Sequence, residues 1–501
     1  MSSKRSLESL SAHVNEDNVS QMANTMRNDQ AINRVYLRSV VEALRELLGN
    51  STDGSAETLR NCIRVLAALE NAWDPDPGAL SPPRLSGAPR FCAFAPSGPP
   101  ESAAVRPATT EIIGQAAMVI ESIDGTHSAE REQIRQALAW ETDLAEAAIR
   151  VANTTEVPSA SSGKGAASSA MTLESVQAAL RERTGNKQLT VTSFHPILGG
   201  RSRQSGLLQV AKASELGTNL VIQMQLPGID QFAGPKIEFH LLAKLCAQGL
   251  KAPKPVLFKE VGDSLSGPFL VTERMDGTVA EKDYFSPIRS PALARGLAHQ
   301  MALLHAIPIA ALDGILRPPS RPLDREGLLA EVDSFATSWR LHAHAPSIAM
   351  STALSWLRAN VDVVQHRQSV VHNDMVFHNI LARGDEITAV LDWEQCAIGH
   401  PAADLGYCYP FIAPETDWTE FLEEYCRCGG VRIPQAEIDY FAVRAVVRIF
   451  MLSMEKGRVG FESDPGQSVF RATVGAYFLQ RLMLRLGRTL QDVLGRKRVA
   501  A

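Results

Sequence analysis

Apolar residues recur at helical spacing in four stretches of the first 153 positions. Leu37, Val40, Val41, Leu44, Leu47 and Leu48 form the first, which Gly49-Asn50 closes, and Leu59, Ile63, Leu66 and Leu69 form the second. Two further amphipathic stretches cover about 110–123 and 128–151. Between the two pairs, residues 74–108 carry Pro and Gly at a density that rules out a regular element. The pattern predicts a helical bundle over 30–153 with a Pro-rich insertion at 74–108, behind a polar, disordered 1–29. Ser159 to Ser169 reads SASSGKGAASS, so 154–171 is predicted to be a flexible linker and the main domain boundary.

Beyond the linker the period changes. Thr172 is placed to N-cap a helix that Gly185 closes. Strand-type runs follow: ILGGRSRQSGLLQV with its glycine pair, then NLVIQMQLPG. Pro235 and Gly249 bracket a helix carrying Ile237, Leu241, Leu242 and Leu245. GPFLVTERMDG reads as a strand leaving this β-rich unit, which spans 172–276. From 277 to 495 the pattern is mostly helical. LARGLAHQMALLHAI is one helix, 325–360 holds two around a HAHAP break, and at least three follow Pro414. Residues 496–501 read as a solvated tail.

One stretch of this second unit breaks the helical pattern: SVVHNDMVFHNILARGDEITAVLDWEQCAIGHPAADLG, from Ser369 to Gly406. Ser369–Val371 ends a strand. Ile380–Leu381 and Ile387–Leu391 are apolar and partly β-branched, and Gly384-Asp385 supplies a turn, so a hairpin is predicted. It returns Asp392 to the side of Asn379. Two carboxylates and an amide oxygen, from Asp374, Asn379 and Asp392, then share one polar patch. Hard cations such as Mg²⁺ take oxygen ligands of this kind and share them with phosphates. A carboxylate left over can take a proton from a hydroxyl. An Asp, an Asn after four intervening residues, and an Asp on the next loop is also the arrangement of the kinase catalytic segment. Turn and cap chemistry uses the same residue types, so the trio alone does not decide between them.

Composition narrows the class without naming a function. A chain of 501 residues allows about three compact units. The hydrophobic share of 45% and charged share of 21% are those of a soluble globular protein. A net charge of −5 gives no basic footprint for nucleic acid. Seven cysteines without a CxxC pattern suggest reduced thiols and a cytoplasmic setting. No signal peptide and no apolar run long enough for a membrane span are visible. His342 and His344 lack acidic or cysteine partners at metal-ligand spacing, and His127 falls in a turn. No catalytic constellation appears in 1–158, so the helical domain is expected to serve structure, a protein partner or self-association.

HNDMVFHNIL followed by LDWEQCAIGHPAADLGY resembles the catalytic segment of the aminoglycoside phosphotransferase family, which is also choline-kinase-like. The resemblance is closest to the subgroup found alone in bacteria or fused to acyl-CoA dehydrogenases. It implies an α+β, two-lobed protein-kinase-like fold over about 172–495, and the helical periodicity of 30–153 puts a separate all-α domain ahead of it. It further implies transfer of the γ-phosphoryl group of ATP, with Mg²⁺, to a hydroxyl of a small molecule. By this resemblance Asp374 is the catalytic-loop carboxylate that orients the acceptor hydroxyl and takes its proton, and Asn379 and Asp392 hold the metal. Gly199, Gly200 and Ser202 form the phosphate-covering loop, Glu238 is the helix acid of an ion pair, and Glu273 to Met275 receive adenine. Asp404 supports the catalytic loop, His372 braces it, and His305 is assigned to packing.

Two departures matter. Asn373 stands where the family has Gly; Asn visits left-handed backbone geometry more readily than most residues, so the loop can survive the change. Gln223 stands where the family has a Lys or Arg that contacts the α/β-phosphates. A unit charge about 4 Å from a phosphate, at an effective dielectric near 20, contributes roughly 4 kcal/mol. Expressed wholly in the transition state, that is about a thousandfold in rate. Gln223 therefore leaves three readings: a slow enzyme, a substituted cation, or a nucleotide-binding module without turnover. Lys212, Lys236, Arg201 and Arg203 are the unranked candidates for a substitute. An interaction protein working through its helical N-domain is the remaining alternative.

Overall fold

The computed structural model describes residues 128–154, 171–197, 203–225, 234–260, 264–265, 267–281, 283–319, 321–343, 347–463 and 465–496. The helices expected before 128, the linker after 154, and the loop of Gly199, Gly200 and Ser202 lie outside the described residues.

The smaller lobe starts with α2 (Leu173–Thr184), whose ends are fixed by local chemistry. Thr172 accepts from Ser175 N–H while Ser175 Oγ accepts from Thr172 N–H, and Gly185 closes the helix at φ 70°. Five strands follow: β1 (Thr190–Ile197), β2 (Arg203–Ala211), β3 (Asn219–Gln225), β4 (Pro255–Lys259) and β5 (Phe269–Glu273). They form one antiparallel sheet in the order β1-β2-β3-β5-β4. Side chains alternate between its faces. Leu208, Val210, Leu220, Ile222, Met224, Phe269 and Val271 share a core with Val176 and Leu180 of α2. The opposite face carries Arg203, Ser205, Gln223 and Leu270, aligned by the pairings Ser205 with Gln223 and Gln223 with Leu270. Helix α3 (Pro235–Ala247) begins at a proline and buries Leu241, Leu242 and Leu245 in the cluster that also holds Leu270.

The chain leaves the small lobe through Glu273 and enters β6 (Thr278–Val279), which pairs with β8 (Ile380–Arg383). The larger lobe is helical around two short sheets. Helices α4 (Pro291–His305), α5 (Arg325–His342) and α6 (Ile348–Ala359) precede β7 (Ser369–Val371). Then come β8, β9 (Glu386–Val390) and β10 (Ala397–Gly399), followed by α7 (Ala402–Ile412), α8 (Trp418–Arg427), α9 (Gln435–Ser463) and α10 (Pro465–Gly495). Strands β6, β8 and β9 make one sheet, and β7 pairs with β10. Helix α7 lies so close to α9 that a Cβ on Gly406 would stand 2.4 Å from Ala442 N. Among the described residues no helix is long and apolar enough to cross a membrane.

The helix expected at 128–151 is present as α1 (Ser128–Thr154). Its buried face was expected within a separate N-terminal bundle. Instead Ile134, Ala137, Leu138 and Trp140 lie in the large-lobe core with Met350, Leu482 and Leu486. Glu141, itself buried, accepts from the N–H groups of Ile348 (3.0 Å) and Ala349 (2.6 Å), the open start of α6. An amphipathic stripe shows that a helix has a partner but does not say which one.

Candidate active site

The cleft between the lobes is floored by the loop after β7. Asn373 takes φ 63°, the left-handed geometry expected for a glycine there. Its side chain compensates by donating to Gln395 O at 3.0 Å. The loop is then clamped from below by Asp404 of α7, which is fully buried. Asp404 accepts from the backbone N–H of His372 (2.8 Å) and of Asn373 (2.6 Å), and from His305 Nε2 (3.1 Å). Burial alone would raise its pKa; the His305 hydrogen bond and the neighbouring imidazoles outweigh that and hold Asp404 below the usual carboxylate range. His305, expected only to pack, is thus tied to Asp404 on one side and to Tyr425 Oη (2.8 Å) on the other. His372 donates through Nε2 to Leu391 O (3.0 Å) and accepts from Asp374 N–H (3.2 Å) at Nδ1. Burial lowers the pKa of this imidazole, against the pull of the Asp404 carboxylate.

On this base Asp374 is buried, and both of its carboxylate oxygens are held. Tyr407 Oη donates to Oδ1 at 2.6 Å, and Asn379 Nδ2 donates to Oδ2 at 3.1 Å. Burial lifts Asp374 to about 6 against these two hydrogen bonds. Tyr407 stands three residues after Asp404, so both project from one face of α7 toward the loop. That spacing was visible in PAADLGY, but nothing local marked Tyr407 as a partner of Asp374.

The β8–β9 hairpin forms as expected, turning at Gly384 with φ 58°. Leu391 N–H donates to Asn379 O at 2.8 Å and brings Asp392 back to the catalytic loop. Asp392 sits at φ 62°, ψ 65°. Burial, then the Glu394 and Asp374 carboxylates, push Asp392 well above its ordinary range, against the pull of Arg203. Glu394 had drawn no attention in the sequence beyond its place in the LDWE motif.

The structure therefore brings Asp374, Asn379 and Asp392 together. Above them, Glu238 of α3 is met by Arg203 of β2, with Nη1 2.5 Å from Oε2. Arg203 Nε is also 3.6 Å from Glu394 Oε2, on the other lobe. Gln223 is half-buried on β3, on the same face of the sheet. In the segment between the lobes, the N–H groups of Glu273 and Arg274 are engaged by Lys254 O and Asn219 O. Met275 is the residue of the three whose N–H makes no hydrogen bond among the described residues.

The donor types in this patch are those a hard divalent cation takes. Two oxygen ligands, from Asn379 and Asp392, suit Mg²⁺, which completes its shell with phosphate oxygens and water instead of an all-protein cage. Asn379 points its amide nitrogen at Asp374, which turns its oxygen away from that carboxylate. The cluster also holds more acid than base, with Asp374, Asp392, Glu394 and Glu238 around Arg203. Among the described residues no group of three or more His, Cys, Asp or Glu side chains could hold a metal by itself.

Residues 196–445 match the family model described as "APH: Phosphotransferase enzyme family". Acyl-CoA dehydrogenase family member 11 of Rattus norvegicus is 29% identical over 274 residues, covering 48% of this chain and 33% of that protein. Its counterpart in Homo sapiens is 28% identical over 222 residues, covering 39% of this chain and 27% of that protein. The chain thus spans about a third of the length of these relatives. Among solved structures, a macrolide 2'-phosphotransferase of Brachybacterium faecium is similar with TM-score 0.44 and 17% identity, covering 60% of this chain and 97% of that one.

Proposed function

Because the chain belongs to the APH phosphotransferase enzyme family through residues 196–445, we propose that it transfers the γ-phosphoryl group of ATP to a hydroxyl of a small molecule. The observation that carries this reading is the convergence of Asp374, Asn379 and Asp392 on one buried patch between the lobes. Asp374 receives the acceptor hydroxyl. Each of its oxygens keeps a second lone pair beyond the hydrogen bond it already accepts. As the acceptor oxygen bonds to the γ-phosphorus and the bond to the leaving ADP oxygen breaks, the hydroxyl proton passes to Asp374. A carboxyl near 6 is ionised at neutral pH, so it can take that proton. Asn379 and Asp392 would hold Mg²⁺, which supplies charge neutralisation across the phosphates when bound.

Such catalysis is mostly positioning and charge stabilisation. The clamp from Asp404 to His372 and Asn373 fixes the loop, and Tyr407 and Asn379 fix the carboxylate on it. Met275 of the interlobe segment is the backbone donor we assign to adenine, and Gly199, Gly200 and Ser202 would cover the phosphates. The compartment we propose is the cytoplasm, on the scattered cysteines of the sequence with no CxxC pattern. A screen of radiolabelled ATP against hydroxylated metabolites and antibiotics tests the reading. Label should move to at least one acceptor with the parent protein and to none with Asp374→Ala. Equal transfer by that variant would remove Asp374 from the role.

A further inference from the structure

We propose that Arg203 supplies the phosphate-contacting cation of the nucleotide site, from β2, in place of a basic residue at Gln223 on β3. The inference rests on the phosphotransferase reading above and goes beyond it, by assigning a residue that the family pattern puts on another strand. Four basic residues lie near enough in sequence to be considered. Lys236 is exposed and pairs with the equally exposed Glu260 at 3.5 Å. Lys212 follows the last residue of β2, at the end of the strand away from Arg203, with φ 59°, and its carbonyl accepts from Asn186 Nδ2. Arg201 is outside the described residues. Arg203 alone of the described three is buried, at 5% exposure, and aimed into the cleft.

Register explains how β2 can serve for β3. Ser205 pairs with Gln223 and Arg203 with Gln225, so all four side chains share the cleft face. Arg203 starts two positions along the strand from the rung of Gln223, a distance of roughly 7 Å. A long arginine side chain spans that interval, and Glu238 of α3 receives its guanidinium at 2.5 Å. The charge therefore occupies the ground a β3 lysine would occupy, between the α3 carboxylate and the acidic patch of Asp392 and Glu394. Burial pulls the guanidinium down, but Glu238, Glu394 and Asp392 together hold it above the ordinary arginine range, so it stays charged. A planar guanidinium also suits phosphate better than a point charge does. Stability does not by itself explain the pair, since buried ion pairs are often replaceable by apolar residues at no loss.

The test compares Arg203→Gln, Arg203→Lys and the transplant Arg203→Gln/Gln223→Lys with the parent, by calorimetric binding of Mg·ATP, Mg·ADP and adenosine. Arg203→Gln should weaken both nucleotides on the order of ten- to a hundredfold and leave adenosine unchanged. Arg203→Lys should lie between, and the transplant should recover most of the loss. Because Arg203→Gln leaves Glu238 buried without its cation, Arg203→Gln/Glu238→Gln is measured beside it, with a thermal melt of each variant. Parent-like Mg·ATP binding by a folded Arg203→Gln or by this charge-free pair overturns the role of Arg203 alone. Loss of adenosine binding in parallel with the nucleotides in every folded variant also overturns it, since a phosphate contact is then not what was removed. Failure of the parent to bind Mg·ATP overturns the phosphotransferase reading and the role of Arg203 with it.

Discussion

Glu141 offers a sharp test of how the chain ahead of the kinase-like lobes joins them. Its carboxylate satisfies two N–H groups at the start of α6, those of Ile348 and Ala349, in a buried setting. Glu141→Ala leaves both donors without that acceptor. A buried unsatisfied group costs about 1–3 kcal/mol, so a loss of roughly 3 kcal/mol is expected where the Glu141 contribution is whole. That condition depends on pH. Burial raises the carboxyl from its ordinary 4.5 to about 7, against the hydrogen bonds from Ala349 and Ile348. A folded-state value above the unfolded one means that the linked stability is present below 4.5 and lost as pH rises through 7. The interval corresponds to roughly 3 kcal/mol. The difference between parent and Glu141→Ala should thus be about 2 kcal/mol near pH 5, where part of it is already lost, and shrink toward zero by about pH 8. Urea unfolding at both pH values measures it, with hydrogen exchange of the 347–359 segment as the local readout. Equal differences at the two pH values would refute the burial argument. No difference near pH 5 would refute the capping of α6 by α1.

Two further outcomes follow from the loop geometry. Asp404→Ala removes the acceptor of three hydrogen bonds, from His372 N, Asn373 N and His305 Nε2; it should cost roughly 3–5 kcal/mol of stability and abolish turnover, as checked by chemical denaturation and the transfer assay. Tyr407→Phe removes the 2.6 Å hydrogen bond that orients Asp374; it should lower kcat on the order of tenfold with nucleotide affinity unchanged, and a fall in affinity alone would contradict the orienting role.

What the sequence made legible was what its local spacing controls. The interval from Asp374 to Asn379, the Gly384 turn and the β-branched runs beside it are enough to predict the hairpin and the return of Asp392. Thr172 and Gly185 mark the ends of α2 in the same local way, and Asn373 could be read as a left-handed residue from its type. Arg203 could not be ranked, because its partner Glu238 lies on α3 and its face is set by the β2–β3 register. The packing of α1 on α6 was not legible for the same reason: Glu141 meets Ile348 across 207 residues of chain. Long-range pairings leave no periodic trace, and a buried carboxylate looks like any surface glutamate in a helix until its neighbours are known.

The central claim is that the patch of Asp374, Asn379 and Asp392 is a Mg·ATP site. The most direct measurement is calorimetric binding of a non-hydrolysable ATP analogue with and without Mg²⁺, on the parent and on Asp392→Asn. An amide is a poorer ligand than a carboxylate for a hard cation. Mg²⁺ should tighten binding to the parent on the order of tenfold or more and have little effect on the variant. Binding to the parent that ignores Mg²⁺, or an equal gain in both proteins, would contradict the account.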